Sequence, residues 1–481
     1  MTGIAKLLEG VVGAASARVR YADARWVERR TESIETRNRA VQRAAHEVTA
    51  GVGVRVLVGS SWGYGATSDL TRAGVLRALE RALRAAGDAP AAAVALPAPL
   101  LATYRTQVVR DPFAVPLDEK LDLLTGLEEK LRVHTLIAVT QAQYTAVAEH
   151  RLLVATTGTC IEQETVECGA GLAATAVGAD EVQQRSYPSG GGFAVDASQA
   201  GYEHIEGLDL AARAPLLAEE AVELLTAPVC PAGEATVVIG GAHLALQVHE
   251  SVGHAVELDR ILGHEAAYAG TSFVTVADRG VLRYGSNVMN VTADATLAGG
   301  LGTYGFDDEG VAASRVPIVR DGILVGFLSS TETAAEAGTG GAGGAMRADG
   351  WARQPIVRMT NVNLEPGAAG SFADLVADTD DGLYLETTRG YSIDDRRLNF
   401  FFSTEIAREI RGGELGRLYR NASYTGITPR FWASLDAVCG PADWRLWGTV
   451  NCGKGEPAQI ARVSHGAAPA RFRGVSVGPA R

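Results

Sequence analysis

The stretch Ala245–Arg260, ALQVHESVGHAVELDR, decides how this chain is read. His249, Glu250 and His254 nearly reproduce the H-E-x-x-H of helical zinc sites, but one extra residue separates Glu250 from the second histidine. On a regular helix each residue turns by ~100°, so residues four apart sit ~40° from one another and residues five apart ~140°. Two histidines five apart cannot grip one ion unless something absorbs the extra residue. Gly253, directly before His254, predicts a π-bulge or a break there. The bland reading stays open beside this one. Leu244, Val248, Val252 and Val256 form an apolar stripe, so the helix is buried and both histidines can be core residues. His243 and His264 lie close by as spectators or rival ligands.

A catalytic zinc takes three protein ligands and keeps a fourth position open. Downstream, WGTVNCGKGEPAQ (447–459) sets Cys452 among polar and turn residues, whereas buried structural cysteines usually sit among aliphatic ones. Cys452 is 198 residues beyond His254 (452 − 254), so spacing alone cannot bring them together. Cys439, in DAVCGPADW, is the weaker candidate.

The rest of the chain narrows the class. With 481 residues, two or three domains are expected, and 47% hydrophobic against 21% charged residues is a globular composition. A net charge of −12 argues against a nucleic-acid partner. No segment reads as a membrane span, and the N-terminus lacks the profile of a secretion signal. Five scattered cysteines are no disulfide framework, which places the protein in the cytoplasm.

Helix and strand signals alternate over residues 1–105, including YADARWVERR, GVGVRVLVGSSWGYGATS and the helical LTRAGVLRALERALRAAG. The Ala/Pro run near 89–102 reads as a linker. Residues 116–227 hold a helix, a meander of strands and another helix. From 233 to 481 short strands dominate, with the opening motif as the key helix. The expected fold is α+β: two N-terminal α/β units, then a larger β-rich domain carrying the metal-binding helix. GTGGAGG (338–344) matches G-x-G-x-x-G only formally, since no strand leads in and no helix follows; a loop bordering a site fits better.

HESVGHAVELDR, YGFDDEGV, RMTN and CGKGEP, together with the two N-terminal segments above, resemble the TldD/PmbA family of metallopeptidases, specifically its metal-bearing TldD-type subunit. The likeness runs from about Tyr21 to the C-terminus. It implies zinc held by His249, His254 and Cys452, with Glu250 as the catalytic glutamate. It also implies hydrolysis of short or unfolded peptides, and a TldE/PmbA-type partner subunit in a heterodimer, or a self-dimer in its place. Asp307, Asp308 and Glu309 match a family motif without an assigned role; a solvated or calcium-like acidic turn is the plain alternative. Glu456 departs from the expected polar residue, which touches substrate preference. Glu250 is expected to take a proton from water. Arg347 and backbone N–H groups of the glycine run are candidate donors to the developing oxyanion. An extended peptide along a sheet edge would give broad sequence tolerance. The alternative reading is a non-catalytic regulatory or binding subunit of a peptidase complex.

Overall fold

YADARWVERR alternates small or apolar residues with charged ones, the period of a strand. In the computed structural model it opens a long strand, Tyr21–Arg37, paired antiparallel with Ala40–Val58 on one side and Ile137–Ala155 on the other. The structure describes all residues except Met1, 88–95, 97, 190–194, 269, 341–342 and 481. Strands before and after residue 105 therefore lie in one eight-stranded sheet. The Ala/Pro linker falls partly outside the described residues, and its end is no linker: Leu101–Arg105 is a strand pairing parallel with Cys160–Val177.

Even-numbered residues of the long strands, among them Ala24, Trp26, Ile34, Tyr144 and Leu152, face one side of the sheet. There they are buried under helices Thr2–Ser16, Arg72–Ala86, Leu117–Leu131 and Leu210–Leu224. Odd-numbered residues, including Asp23, Arg25, Arg55 and Arg151, face the C-terminal domain. A strand charged on one face normally shows it to solvent; here that face is buried against opposite charges.

Beyond residue 232 a β-rich domain follows, as expected. Five strands close on themselves as a barrel: Gly233–Ile239 beside Ala470–Pro479, then Ala422–Ile427, Asn399–Arg411 and Asp381–Ile393, which returns in parallel to Gly233–Ile239. Phe400, Phe402, Tyr424, Phe431 and Phe472 stack on one another in its core. A helix, Gly241–Val248, leaves the end of Gly233–Ile239. A separate hairpin, Arg445–Lys454 with Gln459–Ala467, carries Cys452.

Asp307, Asp308 and Glu309 are fully inside, not a solvated or calcium-like turn. Asp308 Oδ2 lies 2.5 Å from Arg25, and Oδ1 3.2 Å from Arg151. Glu309 reaches Arg55 at 3.5 Å and accepts from Thr331. Asp307 accepts backbone N–H groups of Glu309, Val311 and Met346. The triplet is an ionic pin between the large sheet and the C-terminal domain. Arginines supply the positive charge that a cation would bring.

Candidate metal centre

The extra residue of the opening motif is absorbed by a π turn. The α-helix ends at Val248, His249–Gly253 is one π turn, and His254–Val256 continues as a 3-10 turn. The His254 N–H reaches back five residues to the His249 carbonyl. Such a widened turn leaves carbonyls to be satisfied from outside. Tyr284 donates its hydroxyl to the Ser251 carbonyl at 2.5 Å, while Trp432 Nε1 donates to Ser251 Oγ at 2.9 Å. Gly253 serves close packing as well: a Cβ there would collide with the Met359 sulfur, in the RMTN segment.

The π turn brings the two imidazoles edge to face, with ring centroids 4.8 Å apart. Ligand atoms of His249, His254 and Cys452 all lie within 4.8 Å of one another, and Cys452 Sγ is 3.6 Å from His254 Nε2. All three residues are buried. The structure thus gathers the three residues singled out in the sequence. It separates the other candidates. His243 bonds Thr388 in the core, His264 sits exposed 3.3 Å from Glu336, and Cys439 is buried elsewhere. A second cluster, His150 with Glu162 and Glu164, lies on the large sheet, where Arg105 already pairs with Glu164.

Surrounding groups fix which nitrogen of each histidine is bare. His465 donates from Nδ1 to the Val362 carbonyl at 2.8 Å, so its Nε2 carries a lone pair. That Nε2 lies 2.7 Å from His249 Nδ1, which must be the donor, leaving His249 Nε2 free for an ion. His254 donates from Nδ1 to Glu257 Oε2 at 2.9 Å, again leaving Nε2 bare. Behind Glu257, Lys454 of the CGK segment lies 3.3 Å away and also bonds Asp259. This is the pattern in which outer groups orient metal-binding imidazoles.

Cys452 has its own partner, Arg358, which donates to Sγ at 3.2 Å and to the Cys452 carbonyl. Burial pushes the thiol upward, but His249, His254 and Arg358 overcome it and hold Cys452 well below the ordinary thiol range. A thiolate beside two imidazoles with bare Nε2 atoms is a donor set suited to zinc.

Glu250 is buried beside His249, and its carboxylate accepts from Arg397 Nη1 and bonds Tyr391. Arg397 occupies a left-handed backbone position, φ 61°, in the turn after Ile393. His465, Glu257, Lys454, Arg358, Tyr391 and Arg397 were not singled out in the sequence. Glu257, Arg358 and Lys454 lay within the quoted segments HESVGHAVELDR, RMTN and CGK; the other three carried no signal. Arg347 donates to the carbonyls of Met359, Leu301 and Arg462, and lines a cavity that none of the three metal candidates borders. Residues 341 and 342 of the glycine run lie outside the described residues.

Comparison with known proteins covers almost the whole chain. Family models match residues 22–86 (PmbA/TldA metallopeptidase domain 1), 110–227 (its central domain) and 232–479 (its C-terminal domain). A protein of Methanothermobacter thermautotrophicus named metalloprotease is 30% identical, the match covering 96% of each chain. A Saccharolobus solfataricus protein named zinc metalloprotease TldD homolog is 25% identical over 41% of this chain and 42% of its own. Among solved structures, a Thermotoga maritima protein superposes with a TM-score of 0.76 at 17% identity, covering 98% of this chain and 99% of its own. TldE from Thermococcus kodakarensis gives 0.74 at 17%, covering 98% of this chain and 100% of its own. With a buried two-histidine, one-cysteine centre on a π turn and all three domain models in order, this chain belongs to the PmbA/TldD metallopeptidase family.

Proposed function

We propose that the chain is a zinc-dependent peptidase acting on short or unfolded peptides, with zinc held by His249, His254 and Cys452 and with Glu250 as general base. The observation that carries this reading is the pair of oriented histidines: both Nδ1 atoms are engaged by His465 and Glu257, so the two Nε2 atoms are the ones left to share an ion with Cys452. Zinc is also named for the Saccharolobus solfataricus relative. When bound, zinc supplies Lewis acidity, which makes water acidic near neutral pH and polarises a peptide carbonyl. Glu250 follows His249 directly and accepts from Arg397, which places its carboxylate to take the proton of the attacking water and return it to the leaving amine. Tyr391 and Arg397 hold that carboxylate in place.

A broad peptidase free in the cytoplasm needs its site enclosed. The likeness to TldE fits a dimer of two similarly folded chains, one carrying the metal centre, that admits extended peptides and excludes folded domains. Metal analysis and peptide hydrolysis, each with and without chelator, test the reading. Cys452→Ala is expected to lose most zinc and all turnover while remaining folded. Full zinc content and activity in Cys452→Ala would exclude Cys452. A wild-type chain without metal or hydrolysis would favour a regulatory or binding subunit.

A further inference from the structure

Behind the hairpin that carries Cys452, between it and the charged face of the large sheet, lies a cavity of about 280 Å³. Its lining holds more positive than negative side chains. The carboxylates are already engaged: Glu149 with Arg29 and Arg151, Asp349 with Arg29, and Glu167 with Arg462. Two further guanidiniums, Arg347 and Arg358, line the same space without a carboxylate partner among the described residues. Arg347 spends three contacts on backbone carbonyls, Met359 at 3.2 Å, Leu301 at 3.5 Å and Arg462 at 2.9 Å. A guanidinium has five N–H groups, so two remain. Arg358 is 1% exposed, and its Nε is buried with no partner; Arg462 Nη2 is in the same state.

Buried donors of this kind are costly unless an acceptor meets them, and a guanidinium without a counter-charge, as Arg347 is, is costlier still, whereas Arg358 has the Cys452 thiolate on one side only. Water accepts hydrogen bonds but brings no charge. A planar carboxylate or a small oxyanion brings both, and matches the fork of an arginine. The volume is that of roughly nine liquid waters at ~30 Å³ each, ample for such a group with its residual hydration.

We propose that this cavity is an anion-binding site, in which Arg347, with Arg358 and Arg462, holds a carboxylate or a small oxyanion. The site is separate from the metal centre yet shares one residue with it, since Arg358 also donates to Cys452 Sγ. An anion on Arg358 draws its charge away from the thiolate, so occupancy of the cavity couples to the centre through one guanidinium. The anion comes either from solution or from the carboxyl group of a peptide.

Calorimetric titration of the full chain at constant ionic strength tests this, with inorganic phosphate, a short peptide acid and the corresponding peptide amide as probes. The phosphate arm involves no peptide and no turnover, so its result is independent of the reading above. Saturable binding of one phosphate or one peptide acid per chain is expected at the cavity, and the amide should show no binding there that Arg347→Met or Arg462→Met removes. Arg347→Met and Arg462→Met are each expected to weaken anion binding by about tenfold or more, as loss of a buried charge partner does. Should Arg347→Met not fold, Arg347→Lys and Arg462→Met carry the same test. Peptide acid displacing phosphate identifies a peptide carboxylate as the occupant, and binding of phosphate alone identifies a free oxyanion. A response indistinguishable from sodium chloride, or saturable binding unchanged in every variant, would overturn the proposal.

Discussion

His249 Nδ1 lies 2.7 Å from His465 Nε2, two residues 216 apart in sequence. His465 is in turn held by the Val362 carbonyl. A three-member chain, carbonyl to imidazole to imidazole, therefore sets the tautomer of the first metal candidate. Burial drives His465 well below the ordinary histidine range, so it stays a neutral acceptor across physiological pH. Replacing it with Ala keeps His249 but frees its ring to turn and change tautomer. Zinc affinity of His465→Ala is expected to fall by about 10–100-fold, the usual effect of losing an outer partner of a metal ligand. Competition with a chromophoric chelator measures it, and unchanged affinity would remove His465 from this role.

Variants of Glu250 and Arg397 test whether metal binding and chemistry are separable in this centre. Neither is among the three candidate ligands, so both Glu250→Gln and Arg397→Met should retain zinc. Glu250→Gln is expected to lower turnover by ~10²–10⁴-fold, as loss of a general base does. Arg397→Met removes a positive charge from beside the carboxylate and should lower kcat more than it raises KM. Near-normal turnover in either variant, with zinc retained, would exclude that residue from the reaction.

Asp308 carries the interdomain pin. It meets Arg25 at 2.5 Å and Arg151 at 3.2 Å with almost no solvent exposure, and these arginines hold its carboxyl below the usual range against the effect of burial. Asp308→Asn leaves two buried guanidiniums short of charge and should destabilise the protein by about 3–5 kcal/mol. Thermal unfolding reads this directly. A shift within the range of an ordinary surface substitution would mean that the pin does not hold the domains together.

What the sequence made legible was local. Gly253 beside a mis-spaced histidine announced a π turn, because both the spacing and its remedy lie within five residues. The setting of Cys452 marked it as unusual, but nothing in the chain said where the hairpin would bring it. His465 left no trace, since RVSHGA has no ligand spacing and its role is defined only by Val362 and His249 across the fold. The acidic triplet stays open in the sequence for a similar reason. Asp308 and Glu309 look like a solvated turn until strands more than 150 residues away supply Arg25, Arg55 and Arg151. Those arginines themselves alternate with apolar residues, the pattern of a strand facing water. A pattern of period two reports that the two faces differ, not which surroundings each one meets.

His243 gives a stability prediction with a definite sign. It is fully buried in the barrel core, edge-on to Phe402 and Tyr424, with Nδ1 2.7 Å from Thr388 Oγ1 and Nε2 without a partner. Burial lowers its pKa from 6.5 to about 3. Below pH 6.5 the unfolded chain takes up a proton here that the folded chain refuses, so protons favour unfolding. The stability tied to this neutral imidazole is complete above pH 6.5 and is lost as pH falls towards 3. His243→Leu keeps an apolar side chain in the core and removes the proton-binding group. The variant costs some stability at neutral pH, because Thr388 loses a partner, but its stability should fall less steeply on acidification. The difference in slope is at most one proton, about 1.4 kcal/mol per pH unit. Urea unfolding at pH 7.5, 6.0 and about 5.0 measures that slope. Parallel curves for the two proteins would show that His243 is protonated in the folded state and that the barrel core admits its charge.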